Sequence, residues 1–226
     1  MTSNIASEGR VILAIEAAVR GGSIVLLNDD HEIAAWHGTE DVSRAEDLLP
    51  NISDILDRTH IEKHEVDLIA VSNGPGSYTG IRIGLATALG LARALNIDCV
   101  GRALLPAIAE LHRRENSCVV VIPIGRSELC WEAFDASDVP NSLGPPQSGS
   151  TDDFLDFSRQ FAECDILMQH DAHEAIARTP PFEDFSSRAY NCGSDLALAV
   201  GLGLRNKVSD LTPNYIRNSQ FKSGPV

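Results

Sequence analysis

The sequence predicts an α/β protein built of two lobes, and three stretches carry the prediction. Residues 66–96, VDLIAVSNGPGSYTGIRIGLATALGLARALN, read as a buried strand, a glycine-rich turn and a long helix. Upstream, three short apolar runs separated by turn residues read as an antiparallel meander. Downstream, a second and shorter set opens with another hairpin, so the chain divides into two lobes of one kind.

Taken in order, the runs VILAIEAA, GSIVLL and EIAAW are separated by Arg20-Gly21-Gly22 and by Asn28-Asp29-Asp30-His31, residues suited to hairpin turns. A helix follows. Ser43 and Glu46 stand at capping-box spacing, and Ala45, Leu48, Leu49, Ile52, Ile55 and Leu56 recur at three and four, with Pro50 expected to kink the helix. Residues 97–101 read as the last strand of the first lobe and 104–112 as a connecting helix. In the second lobe, 118–124 and 128–135 form a hairpin across Gly125-Arg126-Ser127, and 138–150 is a loop by its Pro, Gly and Ser content. Then come a helix over 154–161, a strand over 166–169, and a helix over 195–204 weakened by Gly201 and Gly203. The boundary is expected at 102/103, giving lobes 1–102 and 103–226, with the C-terminal segment returning to the first lobe. Three strands, a helix, a strand and a helix is the order of the ribonuclease-H-like half of the actin-like ATPase (ASKHA) fold, here with a shortened second lobe.

The central stretch is the richest in chemistry. Val66, Leu68, Ile69, Ala70 and Val71 have strand length and are closed by Ser72 and Asn73. Gly74, Pro75, Gly76 and Gly80 force a sharp turn, with Ser77 or Thr79 free to cap a helix over about 80–95. Strand, glycine turn and helix N-terminus can point backbone N–H groups at a phosphate, which would make Asn73, Gly74, Pro75, Gly76 and Ser77 a phosphate loop. The same glycines equally suit a tight turn that lets the helix pack close to the sheet. Walker A and dinucleotide spacings are absent. In the helix, Arg82 and Arg93 share one stripe while apolar residues fill most of the remaining circumference, so a second covering surface is expected, either another helix or the chain's own second lobe. Gly80, Gly84 and Ala88, at intervals of four, would let another helix approach.

SNGPGSYTGIRIGLATALGLARAL resembles the signature of the TsaB (YeaZ) family of the glycoprotease-like, peptidase M22-like superfamily, whose usual form is close to GPGSFTGLRIG before an alanine- and leucine-rich helix. The closing LTPNYIR resembles that family's Pro-x-Tyr-x-Arg segment. The resemblance implies the two-lobed actin-like fold and a part in making threonylcarbamoyladenosine at position 37 of tRNA, beside TsaD. It implies a docking face on two helices, assigned to Leu48, Ile52, Gly80, Gly84 and Ala88. It implies a TsaD-like partner, a TsaE-like ATPase as a further one, and a homodimer when the chain is alone.

Departures from the family pattern shape the functional expectation. Where the family shows Asp-Thr-Ser at the first hairpin, this chain has Glu16-Ala17-Ala18, which keeps a carboxylate and loses both hydroxyls, so Glu16, the candidate that would face metal and phosphate beside the glycine loop, is read by preference as a polar strand end. On the resemblance to TsaD, Arg102 and Pro106 stand where metal histidines would be, and the family's Asp-Ala-Arg-Arg-Gly-Glu becomes PIGRSE, with Pro123 at the Asp position and Arg126 and Glu128 kept. Of the other candidates, His60 and His64 lie four apart, but Ile61 stands where a zinc protease motif needs Glu. His170-Asp171-Ala172-His173-Glu174 suits the start of a short helix better than a metal. No Gly-x-Ser-x-Gly elbow occurs.

Charge and cysteine usage set further bounds. A net charge of −14 repels a phosphate backbone, so tRNA is expected to be reached only through a partner. The five cysteines, Cys99, Cys118, Cys130, Cys164 and Cys192, are scattered and read as reduced thiols rather than a disulfide frame. No apolar run reaches membrane-spanning length and MTSNIASEGR lacks a secretory core, so a cytoplasmic protein away from membranes is expected. Two functional classes follow. One is a non-catalytic scaffold supporting TsaD, with no metal and no cofactor held tightly alone, ATP and Mg entering only in the complex. The other is a kinase-fold phosphotransferase or glycoprotease-like hydrolase. Losses at Ala17, Ala18, Arg102, Pro106 and Pro123 favour the first.

Overall fold

The computed structural model describes residues 9–38, 44–125, 128–178, 186–193, 196–202 and 211–216. Strands β1 (Val11–Glu16), β2 (Ser23–Asn28) and β3 (His31–His37) form the expected meander, with β1 antiparallel to β2 and β2 to β3. Helix α1 (Arg44–Thr59) leads to β4 (Leu68–Gly74), helix α2 (Tyr78–Leu95) and β5 (Asp98–Ala103). The sheet order is β3-β2-β1-β4-β5, with β4 parallel to β1 and to β5. Helix α1 runs through Pro50 without a break. Its expected cap, Ser43 with Glu46, lies outside the described residues and side chains.

The second sheet repeats that connectivity at smaller scale. Helix α3 (Leu104–Leu111) passes the chain to β6 (Cys118–Pro123), which pairs antiparallel with β7 (Leu129–Phe134). Strand β8 (Gln147–Gly149) adds to β7, α4 (Thr151–Arg159) follows, and β9 (Asp165–Met168) returns parallel to β6. Helix α5 (His170–Ala177), β10 (Ala189–Asn191) and α6 (Leu196–Leu202) complete it, giving β10-β9-β6-β7-β8. Two short strands depart from the sequence reading. β8 ends the stretch expected as loop, and β10 has too few residues to show an apolar period.

Strand alternation decides where each helix sits. In β1, Val11, Leu13 and Ile15 face the cluster containing Ile52, Ile55, Ile81 and Ala88 of α1 and α2, whereas Ile12 and Ala14 face the opposite side. In β6, Val119 and Val121 face Phe154 and Ile176 of α4 and α5, while Cys118, Val120 and Ile122 face inward. The two inward faces share one core with Leu104, Ile108, Ala197 and Val200 of α3 and α6, so these helices lie between the sheets. Helix α6 is tied to β2 by the Ala197 N–H donating to Ser23 Oγ at 3.0 Å. A Cβ on Gly201 would meet Leu27 at 2.5 Å, which is how closely α6 lies on the first sheet. Among the described residues no helix is long and apolar enough to cross a membrane.

Candidate functional site: the glycine loop and the outer face of its helix

The turn after β4 is packed from one side by the first hairpin. The Ser77 N–H donates to the Ala18 carbonyl at 2.7 Å, and a Cβ on Gly76 would stand 2.5 Å from that oxygen and 2.6 Å from the Ala18 Cβ. Ser77 caps α2 by accepting from the Gly80 N–H at 3.3 Å, and the Gly74 N–H donates to Ser72 Oγ at 3.3 Å. The N–H groups of Gly74, Ser77 and Gly80 are therefore engaged inside the chain. Glu16 is only 1% exposed. Its Oε1 accepts from the Ala18 N–H at 2.5 Å and the Val19 N–H at 2.9 Å, so the carboxylate closes its own hairpin. It is a buried turn cap, more enclosed than the polar strand end read from the sequence. Of the two readings of the glycines, tight packing matches this geometry, and the small side chains of Ala17 and Ala18 permit it.

The C-terminal segment packs the turn from the other side. The Asn214 N–H donates to the Asn73 carbonyl at 2.7 Å, and Asn73 Nδ2 donates to the Thr212 carbonyl at 3.2 Å. Gly74 has φ +105°, and a Cβ there would lie 2.7 Å from the Asn214 carbonyl oxygen and 2.8 Å from Ile81 Cδ1. One residue on, the Tyr215 ring centroid lies 4.9 Å from that of Tyr78, and its hydroxyl accepts from Arg82 Nε at 3.2 Å. The Arg82 guanidinium lies 3.9 Å from the Tyr78 ring centroid. The Tyr215 hydroxyl, first among the causes, raises the Arg82 pKa above its ordinary value.

The docking residues expected from the resemblance need correcting. Leu48, Ile52, Gly80, Gly84 and Ala88 are all buried, Ala88 completely. A Cβ on Gly84 would touch Ala17 Cβ at 3.3 Å and Val71 at 3.7 Å, so the small residues let α2 settle on its own sheet rather than on a partner. The outward stripe of α2 is instead Tyr78, Arg82, Ala86, Leu89, Gly90 and Arg93. Tyr78 is 53% exposed, Leu89 44%, and Leu49 on α1 53%.

The remaining candidates are scattered. Arg102 is the penultimate residue of β5 and forms an ion pair with Glu110 of α3, while Pro106 lies half-buried in the first turn of that helix. His60 is exposed with φ 57°, and His64 is exposed in a short 3₁₀ turn. His170 starts α5, whose cap is Gln169, accepting from the Asp171 and Ala172 N–H groups. With Arg20, Pro123, Glu128, Asp171 and Arg178, His170 lines a cleft of about 670 Å³ at the hairpin ends of both sheets. Arg126 lies outside the described residues. No group of His, Cys, Asp and Glu among the described residues has metal-binding geometry.

Residues 40–136 match the family model described as "TsaD: tRNA N6-adenosine threonylcarbamoyltransferase". The chain is 32% identical over 130 residues to the tRNA threonylcarbamoyladenosine biosynthesis protein TsaB of Escherichia coli, covering 56% of each chain. It is 30% identical over 180 residues to an uncharacterized protein of Mycobacterium tuberculosis, covering 80% of this chain and 78% of that one. With TsaB of Bacillus subtilis it shares 24% identity over 94% of this chain and 96% of the other. The chain belongs to the TsaB (YeaZ) family. It spans about half the length of the curated relatives matched first, 40% to 57% of them. YeaZ from Pseudomonas aeruginosa has the same fold, with a TM-score of 0.60, 20% identity and coverage of 85% and 90%. Component A of a 2-hydroxyglutaryl-CoA dehydratase from Acidaminococcus fermentans shares the architecture at TM-score 0.54, 10% identity and coverage of 85% and 96%.

Within this TsaB-family chain, sequence reasoning missed the junction of Tyr78, Arg82 and Tyr215. Both halves were visible, one as the exposed arginine stripe and the other as LTPNYIR. Residues 133 positions apart carry no local signal of contact.

Proposed function

We propose that the chain is a non-catalytic partner of a TsaD-like enzyme and supports threonylcarbamoyl transfer to adenosine 37 of tRNA. The observation that carries this reading is the outer face of α2, where Ala86, Leu89 and Gly90 face outward between Arg82 and Arg93 while Gly84 and Ala88 are spent on the chain's own core. A shallow apolar strip of this kind suits a helix of another protein. Relatives named for tRNA threonylcarbamoyladenosine biosynthesis support the pathway, and the engaged groups around Glu16 and the glycine loop support a role without catalysis.

In isolation the same face pairs with a second copy of the chain. ATP and Mg bind only within the complex, which a TsaE-like ATPase joins, and tRNA is reached through the more basic partner because −14 opposes direct contact. The place of action is the cytoplasm. Reconstitution tests the reading: a TsaD-like protein of the same organism is supplied with threonylcarbamoyl donor and tRNA, and modified adenosine is measured with and without this chain. Product is expected only when the chain is present and co-elutes with the enzyme. Equal product without it overturns the proposal.

A further inference from the structure

Most of the exposed arginines with a described partner on this acidic chain are paired with its own carboxylates: Arg58 with Asp54, Arg113 with Asp138, Arg159 with Asp156, Arg178 with Glu174, and Arg114, which also stacks on Tyr190, with Asp165. Arg82 is held differently. Its guanidinium stacks on Tyr78 and donates through Nε to Tyr215, and no carboxylate among the described residues pairs with it. This arrangement stands out where the sequence has 32 acidic residues against 18 basic ones. Helix α2 itself carries no acid, so the cation is not neutralised along its own helix.

The Tyr78 ring and the Tyr215 hydroxyl fix the side chain before any partner arrives, so less rotamer freedom remains to be lost on binding. The Tyr78 ring lies against one face of the guanidinium and leaves its remaining N–H groups exposed to a single opposite charge. Tyrosine and arginine are the residue types that anchor protein interfaces. The cluster is continuous with the apolar strip of Ala86 and Leu89, a surface for a protein helix and not for a polyanion facing a net charge of −14.

We propose that Tyr78, Arg82 and Tyr215 form one receptor for a carboxylate side chain on the protein that docks against α2, an inference that rests on the partner reading above. The docking surface is then assembled from two distant parts of the chain, and the C-terminal segment belongs to it. The role of Tyr215 is positioning: it holds the guanidinium that makes the contact.

Titration calorimetry of the full chain with the purified TsaD-like protein of the same organism tests the idea. Arg82→Ala is expected to weaken binding about 10- to 100-fold. Arg82→Lys falls between it and the unaltered chain, because charge is kept and the planar fork is lost. Tyr215→Phe, which removes one oxygen and leaves the ring in place, is expected to weaken binding about 3- to 10-fold without moving the melting temperature. Affinity of the unaltered chain should fall with added NaCl more steeply than that of Arg82→Ala. If the unaltered chain does not bind, both this inference and the partner reading fail. If it binds and both Arg82→Ala and Tyr215→Phe bind as tightly, this inference fails alone. Loss of tRNA retention in Arg82→Ala with protein affinity unchanged would assign the cluster to nucleic acid and overturn it.

Discussion

The Ser77 N–H and the Ala18 carbonyl, 2.7 Å apart, lock the glycine loop to the first hairpin. Through that bond the N-terminus of α2 is positioned by residues near the start of the chain.

Gly76 tests how tight this junction is. Gly76→Ala would place a methyl 2.5 Å from the Ala18 carbonyl, a contact that backbone on both sides must move to relieve. We expect a loss of about 1–3 kcal/mol, read as a lowered urea midpoint at unchanged slope. An unchanged midpoint would show that the hairpin yields.

Two alanines one half-turn apart on α2 should behave in opposite ways. Ala88 is fully buried, so Ala88→Arg forces a charge into the core between α2 and the first sheet and should cost more than about 4 kcal/mol, seen as loss of the cooperative melt. Ala86 is exposed, so Ala86→Arg should melt like the unaltered chain and fail to bind the proposed TsaD-like partner. Melting curves and pull-downs run together check both.

Glu16 can be separated into cap and ligand. Removing the acceptor in Glu16→Ala leaves the Ala18 and Val19 N–H groups unsatisfied in a buried turn, at a cost of about 1–3 kcal/mol. Glu16→Gln keeps an acceptor oxygen and should lose less. Titration of the isolated chain with Mg-ATP should give no binding heat before or after either change, and metal analysis should find well under one equivalent of zinc or iron. Saturable ATP heat lost in Glu16→Gln would assign the carboxylate to nucleotide instead.

The buried thiols set an alkaline limit. Burial pushes Cys99 up to about 11 and Cys118 and Cys192 up to about 12, from an ordinary 9.0. A group whose pKa is raised by folding keeps more protons when folded, so its contribution is complete below the unfolded value and is lost as pH rises through the folded one. Stability should therefore hold to about pH 9 and decline toward pH 12, with urea midpoints at several pH values as the measurement. Replacing Cys118 and Cys192 by Ala should flatten part of the decline.

Apolar period and turn chemistry by themselves determined most of the elements. The short apolar run of β1, the Ser77 cap and the three-and-four spacing of α1 are local patterns, set by neighbouring residues in the chain. The family was legible for the same reason, since SNGPGSYTGIRIG is one continuous turn and helix start. Only the tertiary structure decided which way α2 faces. Gly84 and Ala88 suit any close approach, and the sequence could not say whether the approaching surface was a partner or the chain's own Ala17 and Val71. It also could not place Tyr215 beside Arg82, because a contact across 133 residues depends on how α6 and the C-terminal segment cross the first sheet. Local chemistry fixes the elements. The facing of a small-residue helix is a competition between surfaces, and that competition is resolved only when the whole core packs.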